Sequence, residues 1–144
     1  MNVLIINGPN LDRLDIRDSS IYGDMSYAQL VSHIESGAKS HGFHADVRQS
    51  ADEATIVSWL HEAADTNTPV IINPAAFTHY SYSIRDAAEL VKAPLIEVHL
   101  SNPLSREEFR HTSVISGVAN GTIGGFGPNS YILALIALKA LLAK

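Results

Sequence analysis

Three short stretches of the sequence gather side chains that can move protons. "NGPNLDRLDIRDSSIYG" (residues 7–23) carries Asn10, Arg13, Arg17 and Tyr22; "NPAAFTHYS" (73–81) carries Asn73 and His79; "EVHLSNPLSREEFR" (97–110) carries His99, Ser101, Arg106 and Arg110. A tyrosine acts as a general base only if its phenol, with an ordinary pKa of about 10, is held ready to ionise. A guanidinium within a few ångströms does this by stabilising the phenolate, and Arg17 lies shortly before Tyr22 on the same segment. His99 offers the complementary acid, and Asn10 can hold a water or an oxyanion where negative charge develops. Asn73, Ser101 and Arg110 add neutral hydrogen bonds and one charge, a set suited to a small polyhydroxylated carboxylate.

Each residue also has a plainer use. Asn10 after Gly8-Pro9 fits an Asx-type turn, Arg13 and Arg17 fit solvated loop charges, and Tyr22 fits a packing residue with its hydroxyl at the surface. His79 and His99 stand just beyond apolar runs, where a polar ring points into a crevice. His33, His41, His44, His61 and His111 read as surface or helix-end residues. Other chemistries find less support. No HExxH pair and no cysteine back a zinc site. "NGPNL" is neither a dinucleotide fingerprint nor a P-loop, and "GTIGGFGPN" fits a tight turn or closely packed backbone. No serine stands in a G-x-S-x-G elbow. Lys39, Lys92, Lys139 and Lys144 lie on or after helices, away from the three stretches, which argues against a Schiff base.

The elements that must position these residues alternate along the chain. Strand-like "NVLIIN", "FHADVRQ", "PVIIN" and "PLIEVHL" are separated by helical patterns beginning near Ser26, Asp52 and Ser83, the pattern of βαβ units and a mostly parallel sheet. Ser26 with Gln29, and Ser50 with Glu53, have capping-box spacing, while Gly42 and Thr68-Pro69 stand where helices should stop. Leu30, Ile34 and Ala38, and again Ile56, Leu60 and Ala63, form apolar stripes. A short strand around "GTIGG" and a terminal helix opening near Asn129 complete five strands and about four helices. The economical architecture is a doubly wound open sheet, in which ligands bind outside the carboxyl ends of the strands. All three polar stretches follow strands.

With 144 residues, 46% apolar and 17% charged, the chain fits one domain over residues 1–144. A net charge of -5 offers no basic face for nucleic acid. "YILALIALKALLAK" is the most apolar stretch, but Lys139 interrupts it and it falls short of the roughly 20 residues that cross a bilayer; it reads as a buried terminal helix, so no membrane partner is expected. "MNVLIIN" runs straight into a strand without the regions of a signal peptide, which makes the cytoplasm the expected location.

"NGPNL…R…YG", "INPAAFTHYS…RDA" and "IEVHLSNPLSREEFR" closely resemble the type II 3-dehydroquinate dehydratases of the shikimate and quinate pathways, in the right order and over essentially the whole chain. The resemblance implies a flavodoxin-like fold, no metal or organic cofactor, and a dodecamer built from trimers. The implied reaction is the reversible anti elimination of water from 3-dehydroquinate to 3-dehydroshikimate through an enolate. By the same resemblance Tyr22 removes the proton next to the ketone, Arg17 stabilises its charged state, His99 protonates the departing hydroxyl, and Asn10 holds the water that stabilises the enolate. Asn73, His79, Leu100, Ser101 and Arg110 would bind substrate, with Leu100 and Ser101 acting through backbone. Asp86, in "SIRDA", matches a residue that reaches the site from a neighbouring subunit. The long first loop would then be a lid that closes Arg17 and Tyr22 over the ligand.

Two departures stand out. The family commonly reads R-E-P before the Y-G pair, whereas this chain has Asp18 and Ser19; without the proline an open lid should be more heterogeneous, with weaker affinity or slower closure. Ala75 stands where glycine is usual. Two other functions compete. An idle binding protein would need no base and acid together, and a receiver module would need acids after the first strand and a lysine after the last, which "NGPNL" and "GTIGG" lack.

Overall fold

Residues alternating between two apolar faces fix how the sheet is clothed. Within β1 (Asn2–Asn7), Val3 and Ile5 point to one side and Leu4 and Ile6 to the other, all of them buried. The computed structural model describes every residue from Met1 to Lys144. β1, β2 (His44–Gln49), β3 (Val70–Asn73), β4 (Leu95–His99) and β5 (Gly121–Gly124) form one parallel sheet in the order β2-β1-β3-β4-β5. This is the flavodoxin-like doubly wound order.

On one face α2 (Tyr27–Ser40) and α5 (Asn129–Leu142) pack Leu30, Ile34, Ala38, Tyr131, Leu135 and Leu138 against the sheet. On the other, α3 (Glu53–Thr66) and α4 (Tyr82–Leu90) contribute Ile56, Leu60, Ala63, Ile84 and Ala88. Each fully buried Leu or Ile contributes about 1.5–3 kcal/mol by leaving water. No helix is long and apolar enough to cross a membrane.

Local signals set most boundaries. Ser26 caps α2 in a reciprocal box with Gln29, and Gly42, at φ 83°, lets the chain turn away after it. The expected box of Ser50 with Glu53 does not form. Asp52 caps α3 by accepting from the Thr55 N–H at 3.2 Å, because a carboxylate one residue before the helix reaches that donor directly. Glu53 instead accepts from the Ser81 hydroxyl at 2.5 Å, and Ser81 also caps α4 two residues ahead of the expected start near Ser83.

The first long loop is more ordered than a polar loop predicts. It contains a 3-10 turn at Leu11–Arg13 and a helical turn, α1 (Ser19–Tyr22), whose N-cap Asp18 accepts from both the backbone and the hydroxyl of Ser20. Leu11 and Leu14 anchor this loop in the core beneath it.

Candidate active site

The chain leaves β1 toward β2 on one side and returns to β3 and β4 on the other, so the carboxyl ends of β1 and β3 border the crevice where such sheets bind ligands. A cavity of about 120 Å³ lies there, lined by Asn10, Arg17, Tyr22, Asn73, His79, His99, Leu100, Ser101, Arg106 and Arg110 among others. The structure thus brings together every residue given a catalytic or binding role from sequence except Asp86, which is exposed on α4 and paired with Arg85; Arg13 lies outside the cavity, exposed and paired with Asp15, in keeping with its reading as a solvated loop charge. A wider hollow of about 570 Å³ runs beside the β2 edge, but its arginine, Arg48, is already paired with Asp46 and Glu62. It has no part in the strand-end chemistry.

Tyr22 sits between two guanidinium groups. Arg17 stacks on its ring with Cζ 3.4 Å from the centroid, and Arg106 Nη2 donates to its hydroxyl at 2.5 Å. The expected partner, Arg17, therefore touches the ring face, while the oxygen is met by Arg106, which had been left without a role. Arg106 also donates to the Ser101 hydroxyl at 3.2 Å. Burial lowers the pKa of the Arg17 guanidinium, and the charges of Arg106 and Arg110 add to this, against the pull of the Tyr22 oxygen. Three arginines face the cavity, and Glu107 at its rim stands 3.0 Å from Arg110 and 3.9 Å from Arg106, one carboxylate against three guanidinium groups, an arrangement that favours an anionic ligand.

His99 ends β4 and is nearly buried. Its Nε2 lies 2.5 Å from Glu97 Oε2. Glu97 has no exposed surface and accepts from the hydroxyls of Thr78 (2.6 Å), Ser113 (2.9 Å) and Ser116 (2.7 Å). Burial alone would raise the pKa of its carboxyl, but the hydrogen bonds from His99, Thr78 and Ser116 and the His99 charge outweigh it and hold the group below its ordinary range. An ionised Glu97 only accepts, so Nε2 carries a hydrogen and Nδ1 is the atom of His99 left for a ligand. Glu97 was not among the residues expected from sequence. The signal was present, since residues two apart on a strand share a face.

The remaining lining residues are held by backbone. His79 Nδ1 donates to the Thr112 carbonyl at 2.7 Å, leaving Nε2 free. Asn10 adopts φ 69° and its side chain makes no cap hydrogen bond, so the Asx-turn use does not consume it. The Leu100 carbonyl accepts from Gly127. Gly124 lies under Ser101, where an added Cβ would come within 3.2 Å of the Ser101 carbonyl oxygen. Asn73 accepts from the Ala75 N–H at 3.2 Å, and Ala75 itself is in the left-handed region at φ 54°, where glycine is at ease. No group of three or more His, Asp or Glu side chains is placed to hold a metal ion.

Comparison with known proteins points one way. Residues 1–139 match the family model described as dehydroquinase class II. The 3-dehydroquinate dehydratase of Salinispora tropica is 49% identical over 140 residues, covering 97% of this chain and 98% of that protein. That of Mycobacterium avium is 51% identical over 135 residues, covering 94% of each. Among solved structures, the type II dehydroquinase of Propionibacterium acnes superposes with a TM-score of 0.94 at 45% identity, covering 96% of each chain.

Proposed function

The chain belongs to the class II dehydroquinase family, and from that premise we propose how its cavity carries out its reaction, the dehydration of 3-dehydroquinate to 3-dehydroshikimate in the shikimate pathway. The observation that carries the assignment of roles is the tyrosine clamped by Arg17 and Arg106 in the same cavity as the carboxylate-backed His99.

Tyr22, as phenolate, takes the proton next to the ketone, and the flanking guanidinium groups stabilise that negative charge. The electron pair moves into the carbonyl to give an enolate, whose oxygen is met by a water held on Asn10. The enolate then expels the hydroxyl at the β carbon as His99 delivers the Nδ1 proton to it, and Glu97 balances the charged ring from behind. Asn73, His79 and the backbone of Leu100 and Ser101 hold the ring hydroxyls, and Arg110 binds the carboxylate. Base, acid and polar groups suffice for these steps, so the reading calls for no metal or organic cofactor. The same elimination serves aromatic biosynthesis and quinate breakdown, and we place the enzyme in the cytoplasm.

We further propose that the site is completed in a homo-oligomer, a dodecamer of trimers, with Asp86 supplied by a neighbouring copy. Support comes from Tyr80, Tyr82, Leu104 and Phe109, large apolar side chains left exposed on segments flanking the cavity.

The experiment is an ultraviolet assay of enone formation from 3-dehydroquinate with the parent chain and Tyr22→Phe. Product from the parent, and a loss of kcat of about 10²–10⁴-fold in the variant, support the assigned base. A variant as active as the parent sinks that assignment.

A further inference from the structure

Running back from the cavity wall is a line of three buried polar side chains: Asn73 at the end of β3, which lines the cavity, then Tyr131 in the first turn of α5 and Asn7 at the end of β1, which do not. The Tyr131 hydroxyl donates to Asn7 Oδ1 at 2.5 Å and accepts from Asn73 Nδ2 at 3.0 Å. A hydroxyl has one hydrogen, so once it is committed to Asn7 it can only accept from Asn73. At its other end Asn73 Oδ1 accepts the Ala75 N–H at 3.2 Å.

The amide of Asn73 is thereby fixed in one of its two flip states. Turned over, it would set its own N–H against that of Ala75 and its oxygen toward a hydroxyl whose hydrogen is already used. In the observed state one Nδ2 hydrogen and one Oδ1 lone pair remain for the cavity that Asn73 lines. Asn7 sets the direction of the line: its Oδ1 takes the Tyr131 hydrogen, while its Nδ2 is buried without a partner. Burial also pushes the Tyr131 phenol above its ordinary pKa, which keeps it neutral and able to both donate and accept.

We infer that Tyr131, held by Asn7, is a positioning residue that sets which atoms of the Asn73 amide face the substrate. The inference rests on the proposed contact between Asn73 and 3-dehydroquinate. It assigns to α5, which brings no side chain into the cavity, a part in substrate recognition.

The test is a double-mutant cycle on the full chain, reading KM and kcat for 3-dehydroquinate. Tyr131→Phe should raise KM about three- to tenfold, the worth of one neutral hydrogen bond, with kcat within about twofold. Asn73→Ala should raise KM at least as much, and the double variant should match Asn73→Ala within about twofold, because the two act as one unit. Effects that multiply, or an unchanged KM in Tyr131→Phe, overturn the inference. An Asn73→Ala variant with parental KM and kcat overturns the proposed contact instead, and Tyr131 then has nothing to position. Should Tyr131→Phe fail to fold, Asn7→Ala takes its place in the cycle. It leaves the phenol and frees its hydrogen to turn toward Asn73, and the same non-additivity with Asn73→Ala is expected.

Discussion

Glu97 is ringed by His99, Thr78, Ser113 and Ser116 with no surface exposed, and its consequences can be measured in two ways. Glu97→Gln keeps the size but gives Nε2 of His99 an amide in place of a carboxylate, so the ring loses its counter-charge and its fixed tautomer. Its kcat should fall by ~10²-fold or more while KM changes little, as read in steady-state kinetics at neutral pH. The second effect is on acid stability. The carboxyl is held below its ordinary value in the folded chain, so its stabilising contribution is complete above the unfolded pKa of about 4.3 and is lost as pH falls through the lower folded value. Thermal unfolding of parent and Glu97→Gln followed from neutral pH downward should therefore keep a constant gap down to about pH 4.3 and converge only below it, as pH passes through the lower folded value. A gap that stays constant below that pH as well would show that the charge carries none of the difference. At this scale, residues at the ends of apolar runs were legible because a strand end points its polar groups into the crevice. The role of Arg106, named there without one, and the presence of Glu97 were not. The choice between Arg17 and Arg106 as partner of the Tyr22 oxygen depends on how two segments 84 positions apart meet, which spacing cannot say. Glu97 was hidden inside a strand whose every residue is buried.

At the scale of elements, the two departures from the family pattern now have geometries. Ser19 is the first residue of α1, its N–H donates to no backbone acceptor, and Asp18 before it is extended at φ -63°, ψ 110°. A proline fits both conditions, needing no donor and favouring an extended predecessor. Ser19→Pro should fold normally, leave kcat in place and lower KM by reducing the freedom of the open lid; unchanged kinetics would remove the lid substitution as a cause of weak binding. Ala75 is the sharper case. A left-handed alanine costs about 1–2 kcal/mol, part of which a glycine returns through its looser unfolded chain. Ala75→Gly should thus raise Tm by about 1–4 °C in calorimetry while preserving the N–H that holds Asn73. A lower Tm would mean the methyl packs better than its backbone suffers. Strand positions and the α2 box were readable from periodicity and caps. The α3 cap slipped from Ser50 to Asp52 because several acceptors crowd that turn, and α1 went unseen because four residues carry no period.

For the whole molecule, one sheet with two helices on each face was predictable from the alternation of strand and helix, but the order β2-β1-β3-β4-β5 places β2 and β5 at open edges and leaves aromatic side chains around the cavity uncovered. If those surfaces meet other copies, purified chain in light scattering should show a mass several times 15.6 kDa. A monomer that turns over at full rate would refute the role given to Asp86. The topology has a further effect. Tyr22 follows β1 and His99 ends β4, and they share a cavity because β3 pairs with both strands and holds their carboxyl ends along one edge of the sheet. Such a sheet is dominated by pairings between distant parts of the chain, which form late and slowly. Helices can appear early without either group finding the other. With the roles proposed for Tyr22 and His99, turnover needs the sheet in place, and its return after refolding reports a step later than helix formation.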